Sequence, residues 1–116
     1  MSYKCISIDA AQALIEKNEV TLVDVRDSES FLESHIHNSI NVLHDNLEDF
    51  ISDTDKDKPL IAYCYHGNNS KGAAAYFVGK GFQEVYSIEG GFDEWRMKYA
   101  FNKASGYCPP EKPHTG

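Results

Sequence analysis

Residues 60–75 read LIAYCYHGNNSKGAAA, and this stretch decides the fold that we predict. Its first four residues are apolar or aromatic and follow Pro59, which is typical of a short buried strand. From Gly72 onward, small residues favour a helix that continues through Val78. Between the two lies a polar loop whose first residue is Cys64. The pattern therefore predicts a strand, a tight loop and a helix, with a cysteine where the strand ends.

The position of Cys64 favours a reactive thiol. A loop that enters a helix aims successive backbone N–H groups, and the positive end of the helix dipole, at one point. Such positions lower the pKa of cysteine from about 8.5 to as little as about 3.5. The alternative is a structural cysteine, because free cysteines are often buried. Gly67, Asn68 and Asn69 favour the nucleophile, since these residue types tolerate the positive φ with which a chain curls its amides around an anion.

We expect the six residues after Cys64 to cradle an anion with their N–H groups; they are Tyr65, His66, Gly67, Asn68, Asn69 and Ser70. Tyr65 could also shape the pocket entrance. His66 could add positive charge below neutral pH, or it could simply be an exposed loop residue. Lys71 is a candidate for steering the anion, with an ordinary solvated lysine as the alternative.

Other polar residues carry weaker signals. Asp24 and Arg26 form a charged pair just past an apolar run, and we interpret them as a structural brace between loops rather than as substrate ligands. His35, His37 and His44 lack the i, i+4 spacing of metal ligands, and the chain has no Cys-x-x-Cys. We therefore expect no metal site.

The rest of the chain alternates short strands and helices. The predicted strands cover residues 5–8, 19–25, 40–43, 60–63 and 85–88, and the predicted helices cover residues 9–17, 28–33, 45–52, 72–78 and 92–99. We expect Asp9 to cap the first helix, Trp95 to pack its helix onto the core, and Cys5 to be packed. Alternation of this kind predicts an α/β fold with a central parallel sheet of five strands and helices on both faces. Ligands of such sheets lie outside the carboxyl ends of the strands, where Cys64 is placed.

Composition sets the broader limits. A chain of 116 residues fits one domain, and its formal net charge of −7 argues against binding to nucleic acids or anionic membranes. No apolar run has the length of a membrane span, and we expect no secretory signal. Three widely spaced cysteines suggest no disulfide framework. We therefore expect a cytoplasmic protein.

The C-terminal region has a different character. Residues 100–116 hold three of the four prolines and have no periodicity. We predict a domain over residues 1–101 and a flexible tail over residues 102–116. Cys108 would be exposed in that tail. We expect it to be inert rather than to exchange sulfur or a disulfide with Cys64.

Three segments together resemble the single-domain rhodanese family, closest to the GlpE-type thiosulfate sulfurtransferases. The loop CYHGNNSKGAA at residues 64–74 is similar to the active-site loop of that family. LVDVRD at residues 22–27, followed by Phe31 and His35-Ile36, resembles its upstream signature, and GGFDEW at residues 90–95 its downstream one. The likeness covers roughly residues 5–99. It departs at residues 34–39, where SHIHNS replaces the usual Gly-His-Ile-x-Gly-Ala, a change that touches a structural turn.

The resemblance implies a rhodanese-like fold and a two-step sulfur transfer. Cys64 would take the outer sulfur of thiosulfate as a persulfide while sulfite leaves. The persulfide would then pass its sulfur to a thiophilic acceptor, such as cyanide, a dithiol or a thioredoxin-like dithiol protein. No metal or organic cofactor is implied.

Two other classes use a similar fold. Phosphatases and arsenate reductases have loops of the form Cys-x5-Arg, in which the arginine clamps an oxyanion. The sixth residue after Cys64 is Ser70, so this clamp is absent. A catalytically silent binding module is the third class, but such modules typically lack the cysteine. The absence of an arginine at residue 70 and the presence of Cys64 therefore favour the sulfurtransferase.

Overall fold

Five parallel strands form the central sheet of the computed structural model, which describes residues 3–17, 19–99 and 101–103. In spatial order they are β1 (Lys4–Ile6), β6 (Val85–Ile88), β5 (Leu60–Tyr63), β2 (Thr21–Asp24) and β4 (Ile40–Asn41). Each neighbouring pair is parallel. The predicted α/β fold with five parallel strands is confirmed, and β5 lies at the centre of the sheet.

Helices cover both faces of the sheet, as predicted. The five helices of the described part of the chain are α1 (Ile8–Glu16), α2 (Ser28–Glu33), α3 (Leu47–Asp53), α4 (Asn69–Gly79) and α5 (Gly91–Lys98). None of these helices has the length and apolar character needed to cross a bilayer. A short 3-10 turn at His44–Asn46 precedes α3.

Alternation along β5 divides the core into two clusters, because successive side chains of a strand point to opposite faces. Leu60 and Ala62 pack in a cluster with residues of α3 and α4, including Phe77. Ile61 and Tyr63 pack in the other cluster with residues of α1 and α5, where Trp95 is 2% exposed. The predicted packing of Trp95 on the core is confirmed.

Some element boundaries differ from the predicted ones. The side chain of Ser7, not that of Asp9, caps α1 by accepting a hydrogen bond from the N–H of Ala10 at 3.1 Å. Helix α4 begins at Asn69 rather than at Gly72. Its first turn is helical because Ser70 is buried against the end of β5, a tertiary contact that overrides the loop preference of Asn and Ser.

Cys5 is exposed, so the prediction that it is packed is wrong. Its strand β1 contains three residues and lies at the edge of the sheet, where it pairs with β6 alone. Lys4 is exposed as well, because few residues pack against a three-residue strand at the edge of a sheet.

A second, two-stranded sheet was not predicted. Strand β3 (Ser34–His35) pairs in antiparallel fashion with β7 (Asn102–Lys103). The prediction of a flexible tail from residue 102 therefore differs from the structure at its first two residues, since two-residue strands have no readable periodicity. Residues 104–116, with Cys108, lie outside the described residues, and the predicted tail there stays a prediction.

In the cluster that contains residues of α3 and α4, we expect truncation of Phe77 to lower the free energy of unfolding most. It is 1% exposed and contacts the rings of Phe50 and Phe82 at centroid distances of 5.7 and 5.5 Å. We expect Phe77→Ala to lower the free energy of unfolding by about 3–5 kcal/mol, measured by urea denaturation. The neighbouring Tyr76 is 40% exposed, so Tyr76→Ala is the matched control and should cost about 1 kcal/mol or less. Equal losses in the two variants would contradict the assignment of Phe77 to the core.

Candidate active site

Cys64 follows β5 directly and lies at the carboxyl edge of the sheet. Its side chain is almost fully buried, and its Sγ accepts hydrogen bonds from the N–H groups of Gly67 at 3.0 Å and of Ser70 at 3.3 Å. The Oγ of Ser70 lies 3.6 Å from the same sulfur. The sulfur is therefore enclosed by hydrogen-bond donors of its own loop, an arrangement suited to negative charge.

The N-terminus of α5 binds two carbonyl groups of this loop. The N–H of Phe92 donates to the carbonyl oxygen of Cys64 at 2.8 Å, and the N–H of Asp93 donates to that of Tyr65 at 2.9 Å. In a trans peptide the N–H points opposite to the carbonyl. The N–H groups of Tyr65 and His66 therefore point away from α5. The helix thus orients the first two peptide planes of the loop.

Two glycines make this approach feasible. Gly91 has φ 59°, and a Cβ at this position would lie 2.4 Å from the carbonyl oxygen of Cys64. Gly67 has φ 97°, and a Cβ there would lie 3.1 Å from the N of Gly90. Both positions need a positive φ and close contact with backbone, which favours glycine over any other residue.

The loop environment lowers the pKa of the Cys64 thiol. Burial raises this pKa, because it disfavours the charged thiolate. The hydroxyl and N–H of Ser70 lower it, and so do the N–H groups of Gly67 and Asn69. The hydrogen bonds outweigh burial, so the pKa of Cys64 lies below the ordinary value of a cysteine thiol and the thiolate is favoured.

Ser70 is supported from the sheet by Ser87. Their hydroxyl oxygens are 2.8 Å apart, and the two side chains are 0% and 1% exposed. When the Ser87 hydroxyl donates to Ser70, the hydroxyl proton of Ser70 is free to point at the sulfur. Ser87 was not among the predicted site residues, although a serine in the otherwise apolar and aromatic β6 was a signal for it.

Tyr65 marks the mouth of the site and is 39% exposed. Its ring lies 5.9 Å from the guanidinium carbon of Arg26 and 5.7 Å from that of Arg96. The ring of His66 stacks on it at a centroid distance of 5.0 Å. Asp93 contacts both Arg96, at 3.1 Å, and the Nδ1 of His66, at 3.9 Å. Arg96 and Asp93 were not among the predicted site residues, because their positions in the helix alone did not place them beside the loop.

The predicted pair of Asp24 and Arg26 is present and buried. The Nε of Arg26 lies 3.1 Å from each carboxylate oxygen of Asp24, and its Nη2 lies 2.7 Å from Oδ2. The same Nη2 donates to the carbonyl oxygen of Ser34 at 2.6 Å. Arg26 also lies over the ring of Phe92 at 4.4 Å. These contacts tie the end of β2 to β3 and α5.

The remaining predicted site residues are exposed. Asn68, Asn69 and Lys71 have exposed side chains at the start of α4, and of these residues Asn69 supplies an N–H that lowers the pKa of Cys64. Among the residues that the structure describes, no group of three or more His, Cys, Asp or Glu side chains could hold a metal ion.

The segment at residues 34–39 is hydrogen-bonded to Tyr63, the last residue of β5. Asn38 has φ 69°, a conformation that asparagine tolerates better than most residues. The hydroxyl of Ser39 lies 3.0 Å from that of Tyr63, and the N–H of Ile36 donates to the Tyr63 oxygen at 3.1 Å. The backbone of Asn38 and the hydroxyl of Ser39 therefore accommodate the replacements at these two positions.

Comparison with known proteins places this geometry in a family. The family model of the rhodanese-like domain matches residues 7–98. A thiosulfate sulfurtransferase GlpE of Pseudomonas savastanoi pv. phaseolicola is 48% identical over 104 residues, which are 90% of this chain and 97% of that protein. The corresponding GlpE of Ectopseudomonas mendocina is 47% identical over 90% of this chain and 94% of that protein.

Solved structures agree with the sequence match. The crystal structure of the BH2092 protein from Bacillus halodurans has a TM-score of 0.76 and 31% identity, over 88% of this chain and 77% of that one. A rhodanese-related protein from Thermoplasma volcanium has a TM-score of 0.74 and 27% identity, over 86% of this chain and 98% of that one. The chain belongs to the rhodanese-like domain family.

Proposed function

We propose that this protein is a thiosulfate sulfurtransferase that carries the transferred sulfur as a persulfide on Cys64. The observation that carries the proposal is the set of donors around one sulfur, namely two N–H groups within 3.3 Å and a hydroxyl at 3.6 Å. The relatives named as thiosulfate sulfurtransferases support thiosulfate as the sulfur donor.

The transfer has two balanced steps. The Cys64 thiolate attacks the outer sulfur of thiosulfate, the bond between the two sulfur atoms breaks, and sulfite leaves with the electron pair. Cyanide then attacks the outer sulfur of the persulfide, the bond to Sγ breaks, and thiocyanate leaves while the thiolate is restored. Splitting one transfer into two steps through a covalent intermediate predicts ping-pong kinetics.

The loop stabilises negative charge in both steps. Fixed N–H donors act on a developing anion as an oxyanion hole does in acyl transfer, and removing one such donor typically costs about a hundredfold or more. The N–H groups of Tyr65 and His66, held away from α5 by the carbonyl contacts of their peptides, are candidates for the outer sulfur. The persulfide would then bear its charge within a ring of amides.

In the cell the acceptor would be a dithiol, including one on a thioredoxin-like protein, and the location would be the cytoplasm. Lys71 remains a candidate for anion steering. The sixth residue after Cys64 is Ser70 rather than arginine, which disfavours the phosphatase class.

The first experiment tests the activity and its nucleophile. We expect the protein to form thiocyanate from thiosulfate and cyanide, and Cys64→Ser to abolish this activity. Cys5 is exposed and lies on an edge strand, so Cys5→Ser is the matched control and should keep full activity.

Incubation with thiosulfate should add one sulfur atom to Cys64 in peptide mass spectrometry and leave Cys5 and Cys108 unchanged. Hydrolysis of aryl phosphates without any reaction with thiosulfate would contradict the proposal.

The second experiment tests the lowered pKa of Cys64. Only the thiolate attacks thiosulfate, so kcat/KM should rise with pH and level off above the pKa of Cys64, at a lower pH than for an ordinary thiol. Ser70→Ala removes a hydrogen bond that stabilises the thiolate. The pKa, and with it the inflection of the pH profile, should therefore move to higher pH. Ser52→Ala, at an exposed serine of α3, is the control and should leave the profile in place. An unchanged inflection in Ser70→Ala would contradict this role.

The third experiment separates a brace from a substrate ligand at Arg26. Because Asp24 is 0% exposed, Arg26→Met leaves its carboxylate buried without a partner and should lower the free energy of unfolding by about 3–5 kcal/mol. Adding Asp24→Asn should restore part of that stability. A stable Arg26→Met variant whose activity falls more than about tenfold would instead identify Arg26 as a substrate ligand and contradict the brace.

A further inference from the structure

We propose that Arg96 is the residue that binds the anionic sulfonate end of the sulfur donor, at a rim formed by Tyr65, His66, Asp93 and Arg96. The inference rests on the proposed function, because it concerns the donor of that same site. The arginine comes from α5 and not from the cysteine loop.

The placement of Arg96 follows from how α5 docks on the loop. Phe92 and Asp93 bind the carbonyl oxygens of Cys64 and Tyr65 with their N–H groups. Arg96 follows Phe92 by four residues and therefore lies on the same face of the helix. Its guanidinium carbon is 5.7 Å from the ring of Tyr65, the residue next to the nucleophile.

Residues 64–70 contain no arginine or lysine, and Lys71, which follows them, is an exposed lysine at the start of α4. The N–H groups of Gly67 and Ser70 are bonded to Sγ, and the position of the Cys-x5-Arg arginine is occupied by Ser70. Arg26 also lies 5.9 Å from the Tyr65 ring, but it is buried and bound by Asp24. A guanidinium that can reach the anion must therefore come from another element.

The contact between Arg96 and Asp93 is weak enough for Arg96 to bind a substrate anion. Its Nη2 lies 3.1 Å from Asp93, and the two side chains are 41% and 40% exposed. Exposed ion pairs of this kind contribute little to stability. The arginine can therefore exchange its contact with Asp93 for the arriving donor, and its planar fork of donors fits a sulfonate as it fits other oxyanions.

The net charge of the chain makes a local cation important. With a formal net charge of −7, the protein as a whole repels a dianion such as thiosulfate, so a positive group at the mouth has to counter this field. Asp93 opposes that function, because it neutralises Arg96 and also lies 3.9 Å from His66. Arg96 and Asp93 should therefore affect donor capture in opposite directions.

The experiment follows the two half-reactions separately. Persulfide formation is measured with thiosulfate alone by quenching and mass spectrometry, and persulfide discharge is measured with cyanide on the preloaded protein. We expect Arg96→Met to lower kcat/KM for persulfide formation about threefold to tenfold at low salt, and to lower discharge less, because cyanide carries one negative charge and thiosulfate two. The loss should shrink as salt is added, because salt screens exposed charges. Arg96→Lys keeps the charge and should lose less than Arg96→Met.

Two further variants sharpen the test. Lys98→Met removes a cation two residues away on α5 that pairs with Asp9 instead, and it should leave persulfide formation unchanged. Asp93→Asn keeps the backbone N–H that binds Tyr65 but removes the opposing charge. It should raise kcat/KM for persulfide formation, again in a salt-dependent way.

Failure of this inference is distinct from failure of the proposed function. If wild-type protein forms no persulfide with thiosulfate, the proposed function itself is wrong. If wild type forms the persulfide and Arg96→Met does so equally well, Arg96 does not bind the donor. Equal losses in both half-reactions that are independent of salt and shared by Arg96→Lys would make Arg96 a structural support of Tyr65, which also overturns the inference.

Discussion

The contact between the N-terminus of α5 and the carbonyl groups of Cys64 and Tyr65 is the constraint on which the site depends. It turns two peptide planes so that their N–H groups face away from the helix. Gly91 is the residue that lets the helix come this close, because any side chain there would collide with the carbonyl oxygen of Cys64. Without this docking, the loop would have no fixed direction in which to present its amides.

The sheet determines where that contact occurs. Strand β5 lies at the centre of five parallel strands and is buried on both faces, so the packing of the core determines where it ends. Strand β6, its neighbour, brings Ser87 beside Ser70 and leads into the turn before α5. The packing that stabilises the fold thus also positions the donors around the sulfur.

Charge is distributed unevenly between the interior and the mouth of the site. The buried Arg26 is bound by Asp24 and by the carbonyl oxygen of Ser34. Arg96 is exposed and weakly paired, and we propose that it binds an arriving anion. The ring of Tyr65 lies within 6 Å of both guanidinium groups, so it contacts the buried arginine and the exposed one.

The sequence alone determined the α/β class, the five strands, the order of elements and the position of Cys64 at a strand end, because periodicity and turn residues are local signals. It did not reveal Ser87, Arg96 or the pairing of β3 with β7, and it misplaced Cys5 in the core. These features depend on contacts between residues far apart in the chain. Only the tertiary structure decided which donors reach the sulfur, because hydrogen bonds to one atom are set by the docking of α4, α5 and β6 and not by the spacing of residues in the loop.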